Sequence, residues 1–117
     1  MRTHLASGKA IVAALVLAIA TLALGTGSRA QDAAVAISVK NHLFQPAEVH
    51  APADRRLAIT VKNLDTTAME FESVSLRVEK VIAAGSEGVV NIRPLAPGHY
   101  EFFDDFHQET RGVLVVQ

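Results

Sequence analysis

Apolar residues at every second position are the feature that most constrains the fold of this chain. In residues 35–39 and again in residues 57–61, each odd-numbered position is Val, Ile or Leu, with smaller or polar residues between them. A period of two indicates strands with one buried face, whereas an amphipathic helix repeats about every 3.6 residues. No 12-residue stretch of the mature chain follows the helical period, so the sequence predicts an all-β protein.

Turn signals separate further strand candidates along the chain. Residues 51–54, 84–86 and 96–98 contain the Pro, Gly, Ser and Asp that favour turns. The segments between them predict seven or eight short strands, typical of an antiparallel β-sandwich with Greek-key connections. Besides the two alternating segments, the candidates are Glu48–His50, Met69–Val74, Leu76–Ile82, Gly88–Arg93, His99–Asp104 and Val113–Gln117.

The N-terminal segment has the pattern of a secretory signal. Arg2 and Lys9 precede an uncharged stretch, Ala10–Leu24, and small residues follow up to Ala30. This pattern predicts a signal peptide cleaved after Ala30. A membrane anchor is the alternative, but the 15-residue stretch is shorter than the roughly 20 residues that span a bilayer. We therefore expect residues 1–30 to be removed and residues 31–117 to form one exported domain.

Composition narrows the possible functions. The chain has no cysteine, so packing and hydrogen bonds must hold the exported domain, and thiolate metal chemistry is excluded. The precursor has 11 basic and 12 acidic residues, and all the acidic residues remain when Arg2, Lys9 and Arg29 leave with the signal. The mature domain is therefore mildly acidic and has no Lys/Arg run, which argues against nucleic-acid binding.

Residues 95–104, Leu-Ala-Pro-Gly-His-Tyr-Glu-Phe-Phe-Asp, resemble the cupredoxin pattern in which a turn and Tyr-x-Phe lead to the copper-binding cysteine. Asp104 stands at that cysteine position, and His107 keeps the family's Cys-x-x-His spacing. Thr110 falls near the usual axial methionine. The resemblance covers nearly all of residues 34–117 and implies a cupredoxin-like sandwich.

A closer resemblance is to the cupredoxin-like domain of EfeO-type periplasmic iron-uptake proteins, around Ala68–Glu72. It implies that Glu70 and Asp104 are ligands for copper or iron, and that the domain works in the periplasm beside an inner-membrane iron permease. The segment containing Glu70 also resembles the cupredoxin loop with the first histidine ligand, although no histidine is present. A further cysteine of the EfeO group corresponds to Phe44.

Strand parity gives Asp104 an unusual environment. Tyr100, Phe102 and Asp104 share one face of a strand, and the two aromatic residues mark that face as the core. Moving a bare carboxylate out of water costs several kcal/mol of free energy. The buried group therefore needs a metal, a cation or hydrogen-bond donors nearby. Capping of a loop by backbone N–H groups is the structural alternative. His107 is expected in a polar loop, either as an imidazole ligand or as an ordinary exposed histidine.

The alternation of side chains along a strand does not by itself identify the third ligand. Glu70 and Glu72 share one strand face and Met69 and Phe71 share the other, so only one pair points inward. We prefer Glu70 as ligand and assign Met69 to the core. His42, from a neighbouring segment, is a weaker candidate alongside Met69 and Glu72. The other histidines of the mature domain, His50 and His99, are expected to be solvated.

The predicted site is therefore Glu70, Asp104 and His107, with Met69, Glu72 and His42 as weaker candidates. Carboxylate oxygens and one imidazole nitrogen suit Fe(III), Cu(II), Mn(II) or Zn(II). We expect a periplasmic protein that binds iron or copper for uptake or transfer, without blue-copper electron transfer. A metal-free interaction module for a membrane partner is the alternative. No catalytic triad or phosphate loop is evident, so we expect no enzymatic activity.

Overall fold

The computed structural model describes residues 32–117, which form β-strands and no helix. The predicted signal peptide, residues 1–30, lies outside the described residues. No helix in the described part could cross a membrane. The strands are β1 (Ala33–Lys40), β2 (Leu43–Gln45), β3 (Glu48–Ala51), β4 (Leu57–Asn63), β5 (Met69–Ser73), β6 (Val78–Ile82), β7 (Glu87–Ile92), β8 (Gly98–Asp104) and β9 (His107–Val116).

Two sheets pack into a sandwich, with strand order β2-β1-β4-β7 in the first and β3-β9-β8-β5-β6 in the second. The predicted all-β sandwich is confirmed, with nine strands in the described part rather than seven or eight. Not every pairing is antiparallel, because β1–β4 and β3–β9 are parallel. The chain changes sheet between β2 and β3, so β4 returns to the first sheet alongside β1 in the same direction.

The core lies between the two sheets, as the alternating pattern predicts. Three aromatic side chains, Phe44, Phe71 and Phe102, form its centre, and each is at most 5% exposed. Phe102 stacks on Phe71 with 5.1 Å between ring centroids and meets Phe44 edge-on at 4.9 Å. Such contacts add to the area that each ring buries.

Three chain segments meet at one end of the sandwich: the β1–β2 turn, the β4–β5 connection and the β8–β9 turn. The N–H of Leu64 donates to the carbonyl of Val39, and the N–H of Asp105 donates to that of Glu70. At the end of β4, Asn63 is fully buried, and its side-chain Nδ2 donates to the carbonyl of Thr67 in the β4–β5 connection at 2.9 Å. Hydrogen bonds thus fix the three segments against one another.

Candidate metal centre

Asp104 ends β8 with its carboxylate fully buried, as strand parity predicts. Its Oδ1 accepts two backbone hydrogen bonds, from Glu70 N at 2.9 Å and from Phe106 N at 3.0 Å. These bonds join the start of β5 to the β8–β9 turn and fix the plane of the carboxylate. The expected loop-capping role therefore accounts for one oxygen of Asp104.

The second oxygen of Asp104 contacts His107. Oδ2 lies 2.9 Å from His107 Nδ1, and the His107 side chain is 27% exposed. The polar segment expected to be a loop is shorter than predicted, because Asp104 pairs with His107 across a two-residue turn and β9 begins at His107. His107 thus lies at the first residue of β9, at one end of the second sheet, between the buried carboxylate and solvent.

His42, a weaker candidate in the sequence, lies directly against His107. The two imidazole rings are tilted by 33° and their centroids are 4.1 Å apart. His42 occupies the β1–β2 turn, and its side chain is 46% exposed. The structure therefore brings together one buried carboxylate and two imidazoles.

Asp65 supports the other side of this group. Its Oδ1 accepts from Asn41 N at 2.6 Å and its Oδ2 from His42 N at 2.9 Å, while His42 Nδ1 lies 3.6 Å from Oδ2. The hydrogen bond from the His42 backbone lowers the pKa of Asp65. Sequence reasoning missed Asp65, because its contacts with Asn41 and His42 join residues more than 20 positions apart and leave no local pattern.

Glu70 does not join Asp104 and His107 through its side chain. Met69 and Phe71 are buried, so the Glu70 and Glu72 carboxylates lie on the outer face of β5. There they form a cluster with Glu79 of β6, with one oxygen of each within 4.8 Å of the others. Loss of hydration and the negative charges of Glu79 and Asp105 raise the pKa of Glu70, and the same effects raise the pKa of Glu72. Glu70 touches Asp104 only through its backbone N–H.

Thr110, near the position that the resemblance gives to the axial methionine, is 1% exposed. Its hydroxyl donates to the backbone carbonyl of His42 at 2.6 Å. The oxygen therefore has a structural partner, and Thr110 joins β9 to the β1–β2 turn.

The donors at this end do not fit a blue-copper centre. Such a centre needs a cysteine thiolate, two histidines and a weak axial ligand, and the chain has no cysteine. A buried carboxylate oxygen beside imidazole nitrogens does fit a divalent cation such as Cu(II), Fe(II) or Zn(II). Asp104, His107 and His42 offer such donors at this end of the sandwich, and Asp65 adds a carboxylate whose two oxygens already accept the backbone N–H groups of Asn41 and His42.

Exposed apolar residues flank this group. Leu43 follows His42, Leu64 precedes Asp65 and Phe106 precedes His107, and they are 61%, 49% and 49% exposed, respectively. Because the neighbours of these three side chains contact one another, the apolar residues lie at the same end of the sandwich. The two imidazoles therefore reach solvent beside apolar surface.

Comparison with known proteins identifies related chains. A family model described as a cupredoxin-like domain matches residues 10–116. An uncharacterised protein of Rickettsia prowazekii (strain Madrid E) is 39% identical over 83 residues, which are 70% of this chain. The match spans 66% of that relative, slightly under two thirds of its length.

Solved structures share the fold at low sequence identity. The metal-binding domain of the Cu(I)-exporting P-type ATPase CopA of Streptococcus pneumoniae, with Cu(I), has a TM-score of 0.63 and 17% identity, covering 72% of this chain and 84% of that one. A purple cupredoxin from Nitrosopumilus maritimus has a TM-score of 0.55 and 18% identity, covering 74% and 100%. At such identities the likeness is one of fold.

Proposed function

Because the chain belongs to the cupredoxin-like domain family, we propose that it binds an iron or copper ion through Asp104 and His107 and passes this ion on in the periplasm. The observation that carries the proposal is the 2.9 Å contact between Asp104 Oδ2 and His107 Nδ1. These two donor atoms face each other at the end of the sandwich, where one side of the imidazole is open to solvent.

The two oxygens of Asp104 support this proposal because they have separate partners. Oδ1 is held by the N–H groups of Glu70 and Phe106, so the carboxylate cannot turn away. Oδ2 contacts only His107 among the hydrogen bonds of the described residues. A cation that binds Oδ2 and Nδ1 would replace the hydrogen that these atoms share, and Asp104 would neutralise part of its charge.

Transfer rather than catalysis is the role that we propose for this site. The predicted signal peptide supports export, and the resemblance to EfeO-type domains supports work beside an iron permease. The structural neighbours whose names include Cu(I) or cupredoxin support copper as the other candidate ion. Without a thiolate, we expect neither an intense blue colour nor fast type-1 electron transfer.

The test is titration of the purified protein with Cu(II) in air and with Fe(II) under anaerobic conditions. We expect binding tighter than about micromolar, and Asp104→Asn and His107→Gln to weaken it by at least about tenfold. Asp104→Asn removes the negative charge but keeps an oxygen that can accept the two backbone hydrogen bonds. His50→Gln, at an exposed histidine on β3, is the control and should bind as the wild type does.

Two results would reject the proposal. One is a wild-type protein that binds neither ion more tightly than about micromolar. The other is equal affinity in the wild type, Asp104→Asn and His107→Gln, because binding would then occur elsewhere.

A metal-free interaction module is the second candidate, favoured by the exposed Leu43, Leu64 and Phe106. Apolar side chains beside polar ones at a loop end are typical of protein contact sites. A photo-crosslinking residue at position 64, used with membranes and a chelator, should capture a partner. Capture should fall in the Leu43→Ser, Phe106→Ser double variant, whereas Val89→Ser, at another exposed apolar position, should leave it unchanged.

A further inference from the structure

We propose that His42 is a third ligand of this site and that Asp65 and Thr110 position it. The inference rests on the proposed function, because it concerns the same ion. It completes a set of two imidazoles and one carboxylate from the β1–β2 and β8–β9 turns. Three independent features of the β1–β2 turn support it: its backbone conformation and its contacts with Asp65 and Thr110.

The first is the backbone of the turn itself. Asn41 and His42 are the two residues between the paired Lys40 and Leu43, and their φ angles are 52° and 57°. Positive φ at both positions is the requirement of a type I′ hairpin turn, for which Asn-Gly is the favoured sequence. A side chain at the second position is unfavourable there, because β-carbon contacts disfavour left-handed backbone. His42 therefore occupies a position where glycine would fold more easily.

The second is the attachment of the turn to Asp65. This carboxylate accepts the backbone N–H groups of both Asn41 and His42, and its Oδ2 also faces His42 Nδ1. Asp65 lies more than 20 residues further along the chain, so this is a tertiary contact rather than local turn chemistry. It holds the backbone from which the imidazole projects, and its contact with Nδ1 leaves the other ring nitrogen available.

The third is the bond from Thr110. Its buried hydroxyl donates to the His42 carbonyl at 2.6 Å, which ties the turn to β9 three residues after His107. The turn is thus held on two sides, and the imidazole of His42 lies against that of His107 at 4.1 Å between centroids. With Nδ1 facing Asp65, the other ring nitrogen of His42 would have to reach an ion held by Asp104 and His107, and the 46% exposure of this side chain leaves room for that adjustment.

Two imidazoles and one carboxylate would leave further coordination positions open. Such a set is found in non-haem Fe(II) sites and also binds Cu(II), with open positions for water or an incoming ligand. Partly open coordination suits an ion that must be released to a partner.

The test uses Cu(II) alone as the probe and counts its nitrogen ligands by electron paramagnetic resonance. The wild type should show hyperfine coupling to two imidazole nitrogens, and His42→Gln should show one, with affinity lowered about tenfold or more. Thr110→Val and Asp65→Ala should lower affinity by roughly 10–100-fold and reduce the two-nitrogen signal. Thr110→Ser, which keeps the hydroxyl, should restore both readouts.

His42→Gly separates binding from folding. Glycine suits the turn, so the melting temperature should not fall below the wild-type value, while one nitrogen signal is lost. His99→Gln, at an exposed histidine on β8, is the matched control and should retain both nitrogens.

The outcomes distinguish this inference from the proposed function. Wild-type binding through one nitrogen, or two nitrogens retained in His42→Gln, would overturn the role of His42 and leave the Asp104–His107 site standing. Absence of Cu(II) binding in the wild type would overturn the inference, and the proposed function with it if Fe(II) also fails to bind. Equal behaviour of Thr110→Ser and Thr110→Val would reject the positioning role of the hydroxyl.

Discussion

Asp104 illustrates how one buried side chain can serve both folding and binding. Its Oδ1 accepts hydrogen bonds from the backbone N–H groups of Glu70 and Phe106. Its Oδ2 faces His107. A buried charge is tolerated when donors surround it, and here two backbone donors and one imidazole do so.

Substitutions of Asp104 should therefore separate these two roles. Asp104→Ala leaves two partly buried N–H groups without an acceptor, so we expect the free energy of unfolding to fall by about 2–4 kcal/mol. Asp104→Asn keeps an acceptor oxygen and should cost only about 1 kcal/mol. Urea unfolding of both variants and the wild type checks this. Equal losses in the two variants would contradict the assignment of Oδ1 as the structural oxygen.

At the scale of elements, the β5–β6 hairpin concentrates negative charge. Glu72 and Glu79 are directly paired across the two strands, and Glu70 lies on the same outer face. Like charges in directly opposed positions destabilise a strand pair. Reduced hydration, Asp105 and Glu79 all raise the pKa of Glu72.

Replacing one of these acids should stabilise the hairpin at neutral pH. Because the folded-state pKa of Glu72 is raised, ionisation above that pKa costs stability, and the cost disappears below about pH 4, where the group is protonated in both states. Glu72→Gln should therefore raise the melting temperature at pH 7 by roughly 1–4 °C and have no effect at pH 3. Thermal unfolding against pH checks this, with Glu48→Gln on β3 as control. A shift that is equal at both pH values would contradict the electrostatic cause.

Strand β9 packs so closely against the core at Gly112 that there is no room for a side chain at this position. A β-carbon there would lie 2.4 Å from the ring of Phe102 and 2.9 Å from the carbonyl oxygen of Ala47. The Phe102 ring is held between Phe71 and Phe44, so it cannot move aside freely.

Gly112→Ala should accordingly lower the free energy of unfolding by about 1–3 kcal/mol, the usual cost of an overpacked core. Denaturant unfolding measures the loss, and Gly98→Ala, where a β-carbon meets the Tyr100 ring at an ordinary 3.6 Å, is the matched control. A loss no larger than that of the control would mean that the Phe102 ring can shift.

At the scale of the whole molecule, stability depends on one core, because no disulfide can form in a chain without cysteine. The candidate metal centre joins β1–β2 of the first sheet to β8–β9 of the second. An ion bound there would link the two sheets and favour the folded state by mass action.

Metal binding should thus raise the thermal stability of the entire domain. At a free Cu(II) concentration of 100 times Kd, we expect about 2.7 kcal/mol of added stability. Differential scanning calorimetry with and without Cu(II) checks this, and the Asp104→Asn, His107→Gln double variant should show no shift. A shift of the same size in that variant would place the bound ion elsewhere.

Much of the fold and part of the site followed from the amino-acid pattern. Alternating apolar residues predicted the strands, and parity placed Asp104 toward the core. The spacing of His107 from Asp104 was local enough to predict their proximity. The same parity left open which pair of the 69–72 segment faces inward, because Glu70 and Met69 were both plausible ligands.

Hydrophobic periodicity determined which residues point inward, because burial of a strand face is a property that each segment carries in its own sequence. Only the tertiary structure decided which turns meet. His42 and Thr110 are 68 residues apart in the chain, yet sheet order and the crossings between sheets bring them into hydrogen-bond contact. Such pairings depend on how all the strands are arranged, so the grouping of Asp104 and His107 with His42, rather than with Glu70, came from the fold.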